Sequence, residues 1–474
     1  MLERFRSSAV PVLLAATGGV AALVGGYWDD AWHTDRGRDS LFAAPHLVLY
    51  TGVLVATLAV ALLARRPWSP EQRLALAGGA AVLVSAPLDE AWHVAFGRDA
   101  VLWSPPHMLA VVASLMLATG VLAIATRTSG RMGGVAQLLA AATVIGALQM
   151  PVLEFDSDVP QFPVWTYLPV AVAGWLLATI IIRRLLDGRW SLVVTAAMYT
   201  GIRVGVVGLL VVLDHSGTVV PPVLVLALLD MALARVSLST TSRLAVNATG
   251  ATLVWFGWLA TTGSDGTGVP TSALPAAVSA SVLAALGIGA LSGRRLHIPR
   301  PAAAAGAVFA VAVVGLATAP EAQAHDPGQG SSRGGAVLTV ERIDDTSIDI
   351  VLLVETGSCE ELTPVRSVAR RAGLAKPGVL EGGGRCRYQG TVDADDSGRW
   401  FVYVELTEGT RAVELWAPLD DNEAASTVRR PLYEPPDRPS RDIQLLAGLG
   451  IYALILGMLA TTLRSADRIG LPPP

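Results

Sequence analysis

Two segments near the amino terminus combine residue types that bind metal ions. Residues 28–46 read WDDAWHTDRGRDSLFAAPH, and residues 88–107 read LDEAWHVAFGRDAVLWSPPH. Each copy holds an Asp, a His four residues later and a Pro-His pair, and the second copy has one extra residue before that pair. Imidazole and carboxylate together are ligands for copper, zinc and non-haem iron. The duplicated pattern therefore predicts a metal site.

Helical spacing brings the ligands of one copy together. Asp29 and His33 are four residues apart, so they share one face of a helix. His46 follows a proline, which suits the first turn of a helix, and an antiparallel neighbour returns this imidazole to the same membrane depth. The second copy repeats the arrangement. The candidate metal ligands are Asp29, His33, His46, Asp89, His93 and His107.

Other polar side chains are candidates for supporting roles. An acidic pair after the fifth predicted span and two further histidines are candidate secondary ligands: Glu154, Asp156, His215 and His325. A Gly-Arg-Asp sequence in each copy predicts a tight turn in which the Arg pairs with a carboxylate and holds a ligand in place. These supporting residues are Arg38, Asp39, Arg98 and Asp99.

The motif has explanations without a metal. Asp29 and Asp89 could orient the histidines in a hydrogen-bonded network that ties the two hairpins together, or the residues could form a proton relay or a site for an organic substrate. Arg203, in the seventh predicted span, indicates either a functional group or a buried ion pair with an acid on a neighbouring helix.

The composition is that of a membrane protein. Hydrophobic residues make up 52% of the chain, charged residues 16%, and the mean hydropathy is +0.51. Stretches long enough to cross the bilayer predict about twelve transmembrane helices. They lie near 8–28, 43–64, 73–92, 105–126, 134–153, 163–182, 190–213, 221–236, 244–262, 273–292, 301–320 and 442–463. The net charge of −4 and the lack of a continuous basic stripe exclude nucleic-acid binding.

The loop charges predict the orientation in a bacterial cytoplasmic (inner) membrane. Arginines cluster at every second connection, as at 65–66, 127–131 and 183–189, and such loops stay in the cytoplasm. Both termini are then cytoplasmic, and residues 325–441 lie outside. Every histidine except His297 maps to the outer side.

The predicted spans and loop charges divide the chain into three regions. Residues 1–324 form a membrane domain of about eleven helices, with duplicated hairpins at 8–64 and 73–126. Alternating polarity within 325–441 predicts a small extracytoplasmic β-sandwich followed by a proline-rich tether over 429–441. Residues 442–474 provide a final helix and a cytoplasmic tail.

Two covalent changes are predicted for the outer region. Cys359 and Cys386 both lie in it, which predicts a disulfide. The small residues before His325 allow cleavage there.

The first copy resembles a known copper site. The spacing Asp29-x3-His33-x12-His46 is similar to that of the C subunit of particulate methane and ammonia monooxygenases, where an Asp and two His bind copper near the outer face. This resemblance covers residues 29–46 and implies copper. More weakly, the placement of His325 resembles the amino-terminal histidine of copper-resistance periplasmic proteins. Residues 326–441 contain no other His and no Met, so copper at His325 would need a ligand such as His215.

The sequence supports four hypotheses about the function of the chain, and it leaves open whether the chain is an enzyme. The first is a membrane protein that captures or handles copper at the outer face, with the β domain as a lid or as the docking surface for an extracytoplasmic protein. The second is a copper- or iron-dependent membrane oxidoreductase acting on a small apolar substrate. The third is a haem-binding electron-transfer protein. The fourth is a structural Asp/His network. Zinc is a further candidate ion.

Overall fold

The computed structural model describes thirteen segments of the chain: 9–36, 42–64, 67–96, 102–156, 164–215, 217–262, 269–292, 331–355, 359–371, 374–394, 399–420, 423–434 and 441–469. Within them, helices dominate the first part of the chain and strands the second, before a last helix. The predicted fold class, a polytopic helical protein with an additional β domain, is confirmed.

Eleven helices occur in these segments: α1 Val10–Arg36, α2 Ala44–Leu63, α3 Pro70–Phe96, α4 Pro105–Ala125, α5 Gly130–Gln149, α6 Tyr167–Leu185, α7 Ser191–Val212, α8 Val223–Leu233, α9 Thr240–Thr262, α10 Leu274–Ser292 and α11 Arg441–Ile469. Two single turns, Met150–Val152 and Leu153–Asp156, extend α5. Ten helices are long and apolar enough to span a membrane, and α8 is shorter. The span predicted at 301–320 lies outside the described segments.

The first five helices form one bundle. Glycine allows the closest helix contacts: a Cβ on Gly18 of α1 would lie 2.6 Å from the carbonyl oxygen of Gly52 on α2. A Cβ on Gly78 of α3 would lie 2.5 Å from the backbone nitrogen of Leu117 on α4. Helices α1 and α4 also pack on α5 and on each other. The two hairpins therefore pack directly on each other, and α5 packs on both.

The remaining helices surround this bundle. Helices α6 and α7 pack on α5, and α6, α9 and α10 contact one another. The last helix, α11, returns to the first half of the chain and packs on α4 and α3. There Ile455 lies in an apolar cluster with Met108, and the Tyr452 hydroxyl donates a hydrogen bond to the Trp103 carbonyl.

Residues 331–434 fold into an eight-stranded antiparallel barrel. The strands are β1 Ser331–Asp344, β2 Ser347–Val354, β3 Leu362–Arg371, β4 Leu374–Gly382, β5 Arg387–Asp393, β6 Trp400–Glu408, β7 Arg411–Leu419 and β8 Ala425–Glu434. Their order is β1-β2-β5-β4-β3-β6-β7-β8, and β1 also pairs with β8. This pairing joins the first and last strands, so the predicted β domain closes as a barrel instead of forming the two open sheets of a sandwich.

Two details of the β domain bear on the sequence predictions. The Cα atoms of Cys359 and Cys386 lie 5.3 Å apart, a separation typical of a disulfide. The first part of the predicted proline-rich tether is strand: residues 429–434 belong to β8 because their backbone pairs with β1. Pro431 falls beside a register shift of this pairing, where a missing amide hydrogen is tolerated.

The barrel contacts the end of α1 that carries the first motif copy. Arg430 on β8 donates a hydrogen bond to the Asp35 carbonyl at 2.9 Å, and Arg399 Nη1 lies 3.6 Å from Asp35 Oδ1. The Arg430 guanidinium stacks 4.3 Å from the ring centre of Trp416, and burial lowers the pKa of Arg430. The barrel and the Asp/His residues of α1 therefore lie at the same end of the helical bundle.

Candidate metal centre

The first motif copy forms a compact group of three side chains. Asp29 and His33 lie one turn apart on α1, and Pro45 in the first turn of α2 sets His46 beside them. His46 Nε2 lies 3.0 Å and His33 Nε2 3.6 Å from Asp29 Oδ1. Three potential ligand atoms, one from each residue, lie within 4.8 Å of one another. The structure thus brings together the residues that the spacing had selected.

The orientation of these groups suits a shared ion. Asp29 Oδ1 is buried, and its two nearest imidazole nitrogens belong to His46 and His33. Donor atoms bound to one tetrahedral ion at about 2.0 Å lie about 3.3 Å apart. The two Asp29–His distances, 3.0 and 3.6 Å, lie on either side of that value. Both distances from the carboxylate to the imidazoles are therefore compatible with one shared ion.

The second copy repeats the contact between acid and imidazole. His107 Nε2 lies 3.2 Å from Asp89 Oδ1. Ser104 caps α4 by accepting a hydrogen bond from the His107 backbone nitrogen at 3.4 Å, which fixes the first turn of the helix. The backbone of His93 belongs to α3, while its side chain lies outside the described part of the structure.

Both copies line one cavity of about 160 Å³. Its lining includes Asp29, His33 and His46 from the first copy and Asp89 and His107 from the second. Glu154, a predicted secondary ligand, also lines this cavity, and its Oε1 accepts a hydrogen bond from the Leu102 backbone nitrogen at 2.5 Å. This bond positions the residues before α4. The duplicated hairpins therefore converge on one space.

Asp156 has a different environment. Its Oδ2 lies 3.7 Å from Arg203 Nη2, and it accepts a hydrogen bond from the Tyr167 hydroxyl. Arg203 is fully buried, donates to the Val219 carbonyl at 2.7 Å and stacks 3.9 Å from the ring centre of Tyr27. Asp156 is not among the described residues that line the cavity. Of the two interpretations of Arg203, the structure contains the buried ion pair with a neighbouring acid.

His215 also lies away from the cluster. Its Nδ1 is 3.0 Å from Asp35 Oδ2, and its ring centre is 5.6 Å from that of Trp32. Because Asp35 also contacts the barrel, this histidine connects the end of α7 with the junction between α1 and the β domain. It is absent from the described cavity lining.

Several predicted residues lie outside the described segments. They are Arg38, Asp39, Arg98, Asp99 and His325, together with the cleavage position before His325.

The structure adds residues that the motif did not include. Tyr50 lines the cavity, and its ring centre lies 5.8 Å from that of His46. Tyr50 lies four residues after His46 and therefore on the same helix face, so this spacing could have identified it as a cavity residue from the sequence. Asp30 also lines the cavity, and it stood in the sequence directly beside Asp29.

The comparisons with known proteins do not add to this geometry. No protein-family model matches the sequence, and no curated protein or solved structure shows significant similarity to the chain. The chemistry of the cavity therefore has to be inferred from its own residues.

Proposed function

We propose that the chain is a membrane metal-binding protein that captures or handles copper at its outer face through the duplicated Asp/His motif. The observation that carries this proposal is the group formed by Asp29, His33 and His46, whose ligand atoms lie within 4.8 Å of one another. A carboxylate with two imidazoles is a donor set for a divalent transition metal.

The charge of the cavity supports a cation. Four carboxylate residues line it, and none of the described lining residues is Lys or Arg. The acids are Asp29, Asp30, Asp89 and Glu154. Carboxylates held away from water cost several kcal/mol each unless they are paired or bound to a metal. A divalent ion, or one ion for each motif copy, would offset this charge.

Copper is the ion we favour. Among divalent ions, Cu²⁺ binds nitrogen and oxygen donors most tightly, and the spacing of Asp29, His33 and His46 resembles the monooxygenase copper site. Zinc and iron accept the same ligands and are the alternatives to be measured.

The orientation in the membrane belongs to the same proposal. We place the cluster and the barrel at the extracytoplasmic face of a bacterial cytoplasmic membrane, with both termini inside. The arginine-rich connections support this placement, as does the contact of Arg430 with Asp35. The barrel would then offer a docking surface to an extracytoplasmic protein.

Metal analysis of matched variants tests the function. Wild-type protein, Asp29→Asn, His46→Gln and His215→Gln are purified after growth with copper, and their metal content is measured by elemental analysis. Asp29→Asn keeps the shape and hydrogen-bonding capacity of the side chain but removes the anionic ligand. His215→Gln is the control because this buried histidine lies outside the cluster.

We expect bound copper in the wild type and the control and a reduced copper content in Asp29→Asn and His46→Gln. In copper titrations the affinity of these two variants should be at least tenfold lower, which corresponds to about 1.4 kcal/mol. Unchanged copper content in both cluster variants would contradict the proposal. Protein that carries no metal after such growth would favour the structural network, and a Soret band would favour haem.

A second candidate function is a copper- or iron-dependent oxidoreductase that acts on a small apolar substrate. The observation in its favour is the apolar part of the cavity, which continues directly from the cluster. Consumption of oxygen by the metal-loaded protein, dependent on both a reductant and an added apolar compound, would distinguish it from a protein that only binds metal.

A further inference from the structure

The cavity extends far beyond the Asp/His cluster. On α1 its lining residues run from His33 to Ala15, which is about 27 Å along the axis at 1.5 Å per residue. On α4 they run from Pro106 to Val121, about 22 Å. On α2 and α3 only the part near the cluster contributes. The cavity is therefore elongated along the bundle, with the polar groups at one end.

The walls away from the cluster are apolar and small. They include Ala15, Gly19, Leu23, Ala118, Val121 and Ala140. Thr143 is one of the few polar residues there, and its hydroxyl already donates to the Leu139 carbonyl at 2.9 Å. An ordered water needs two to four polar partners, so this end is unsuited to water. A protein surrounded by lipid chains can fill such a space with an apolar molecule.

The dimensions suit one chain in single file. One leaflet of the bilayer is about 15 Å of hydrocarbon, half of the roughly 30 Å core, and this is the length of a lipid chain. The lining runs for about 22 to 27 Å along α4 and α1, which is long enough for such a chain and its end group, and a volume of about 160 Å³ along this length makes the cavity a narrow space.

The polar end limits the group that such a chain can carry. The carboxylates repel an anionic end group and a bound divalent ion repels a cationic one, whereas an uncharged hydroxyl can donate a hydrogen bond to Asp29 or Asp89 or approach a bound ion. We propose that the cavity binds a single unbranched apolar chain that ends in an uncharged hydroxyl group, a long-chain alcohol, with this group at the Asp/His cluster. The role of the cluster rests on the proposed function, while the binding of the chain rests on the apolar walls alone.

A blocked cavity tests this inference. Gly19→Leu adds a side chain in the apolar part, where the Cβ would meet its nearest neighbour, Thr143, at 3.5 Å, an ordinary contact. Gly201→Leu is the matched control, because Gly201 is exposed on α7 and a Cβ there has no neighbour within 4 Å. Ala118→Leu blocks the cavity from α4 and serves as a second blocked variant. The full-length proteins in lipid nanodiscs are labelled with a photoreactive long-chain alcohol, and the labelled peptides are identified by mass spectrometry.

We expect label on α1, α4 and α5 of the wild type, at least a tenfold loss in the blocked variants and no loss in Gly201→Leu. Copper content should stay unchanged in Gly19→Leu, because residue 19 lies about 15 Å from Asp29 along α1. Equal labelling of all variants, label confined to lipid-facing surfaces, or stronger competition by a long-chain carboxylate than by an alcohol would overturn the inference.

The proposal of copper binding and the proposal of chain binding can be rejected independently of each other. Loss of chain labelling in Gly19→Leu together with copper-free wild-type protein would reject the metal function and leave the chain site standing. If Asp29→Asn loses copper while Gly19→Leu leaves the labelling by the chain unchanged, the chain site is rejected and the metal function is retained.

Discussion

At the scale of single residues, two acids near the same end of the bundle have opposite surroundings. Asp29 lies between two imidazoles, and no cationic side chain is present in the described lining of its cavity. Asp156 lies beside Arg203 and the Tyr167 hydroxyl. A carboxylate that already has a guanidinium partner is a poor choice for a metal ligand. The first acid therefore belongs to the candidate metal centre, and the second to the packing of the helices.

Because the two acids have different partners, we expect mutations around Asp156 to change the stability of the protein and mutations around Asp29 to change its copper binding. Arg203→Met leaves Asp156 as a buried acid without its charge partner, and breaking a buried pair in this way costs about 3–5 kcal/mol. We expect a lower unfolding midpoint in detergent, with bound copper unchanged once the protein is folded. The double variant Arg203→Met with Asp156→Asn removes both charges and should recover part of the stability.

Thermal unfolding followed by circular dichroism measures the effect, and elemental analysis measures the copper. A large loss of copper in folded Asp156→Asn would place this acid in the metal centre. A double variant no more stable than Arg203→Met would argue against the ion pair.

At the scale of elements, the duplicated hairpins depend on glycines at their interfaces. Gly18 on α1 and Gly78 on α3 occupy equivalent positions relative to Asp29 and Asp89, and both lie against the backbone of the partner helix. The segments that begin with them, GGVAALV at 18–24 and GGAAVLV at 78–84, are also similar. The duplication therefore includes the helix contacts as well as the Asp/His motif.

Gly18→Val is expected to separate α1 from α2, because its Cβ would lie 2.6 Å from the Gly52 carbonyl oxygen. Overpacking of this kind costs about 1–3 kcal/mol, and the separation should also weaken copper binding, since Asp29 and His46 lie on the two helices. Gly205→Val, on the exposed side of α7 with no neighbour within 4 Å, is the matched control. Unfolding midpoints and copper titrations compare the two variants, and equal values would contradict the proposed role of the close contact.

At the scale of the whole molecule, the barrel and the bundle meet at Asp35. The side chain of Asp35 contacts His215 and Arg399, and its carbonyl contacts Arg430. The eight described strands close into a barrel through the pairing of β1 with β8, and the junction of β7 with β8 has one registered pair, Glu414 with Tyr433.

The membrane orientation can be measured with single cysteines. Because Cys359 and Cys386 are paired, an introduced thiol is the reactive one. Glu341→Cys lies on an exposed part of β1, and Asp187→Cys on the exposed connection between α6 and α7. We expect a membrane-impermeant maleimide to label Glu341→Cys in intact cells and Asp187→Cys only after permeabilisation. The reverse pattern would invert the proposed topology.

The sequence by itself determined what depends on neighbouring residues and on hydropathy. Apolar length gave the spans, and the four-residue spacing of Asp29 and His33 gave their common face, because both follow from the geometry of one helix. Local alternation likewise predicted the β domain. The eleventh predicted span and the supporting arginines lie outside the described segments and remain predictions.

Only the tertiary structure decided how distant elements meet. It placed Asp89, His107 and Glu154 in the cavity of the first copy, assigned Asp156 to Arg203, and closed the strands into a barrel through β1 and β8. These outcomes depend on close backbone approaches, such as Gly18 to Gly52, and on pairing between strands far apart in the chain. Local spacing does not identify the partner of such a glycine or strand, because the same pattern of apolar residues is compatible with several arrangements of the helices.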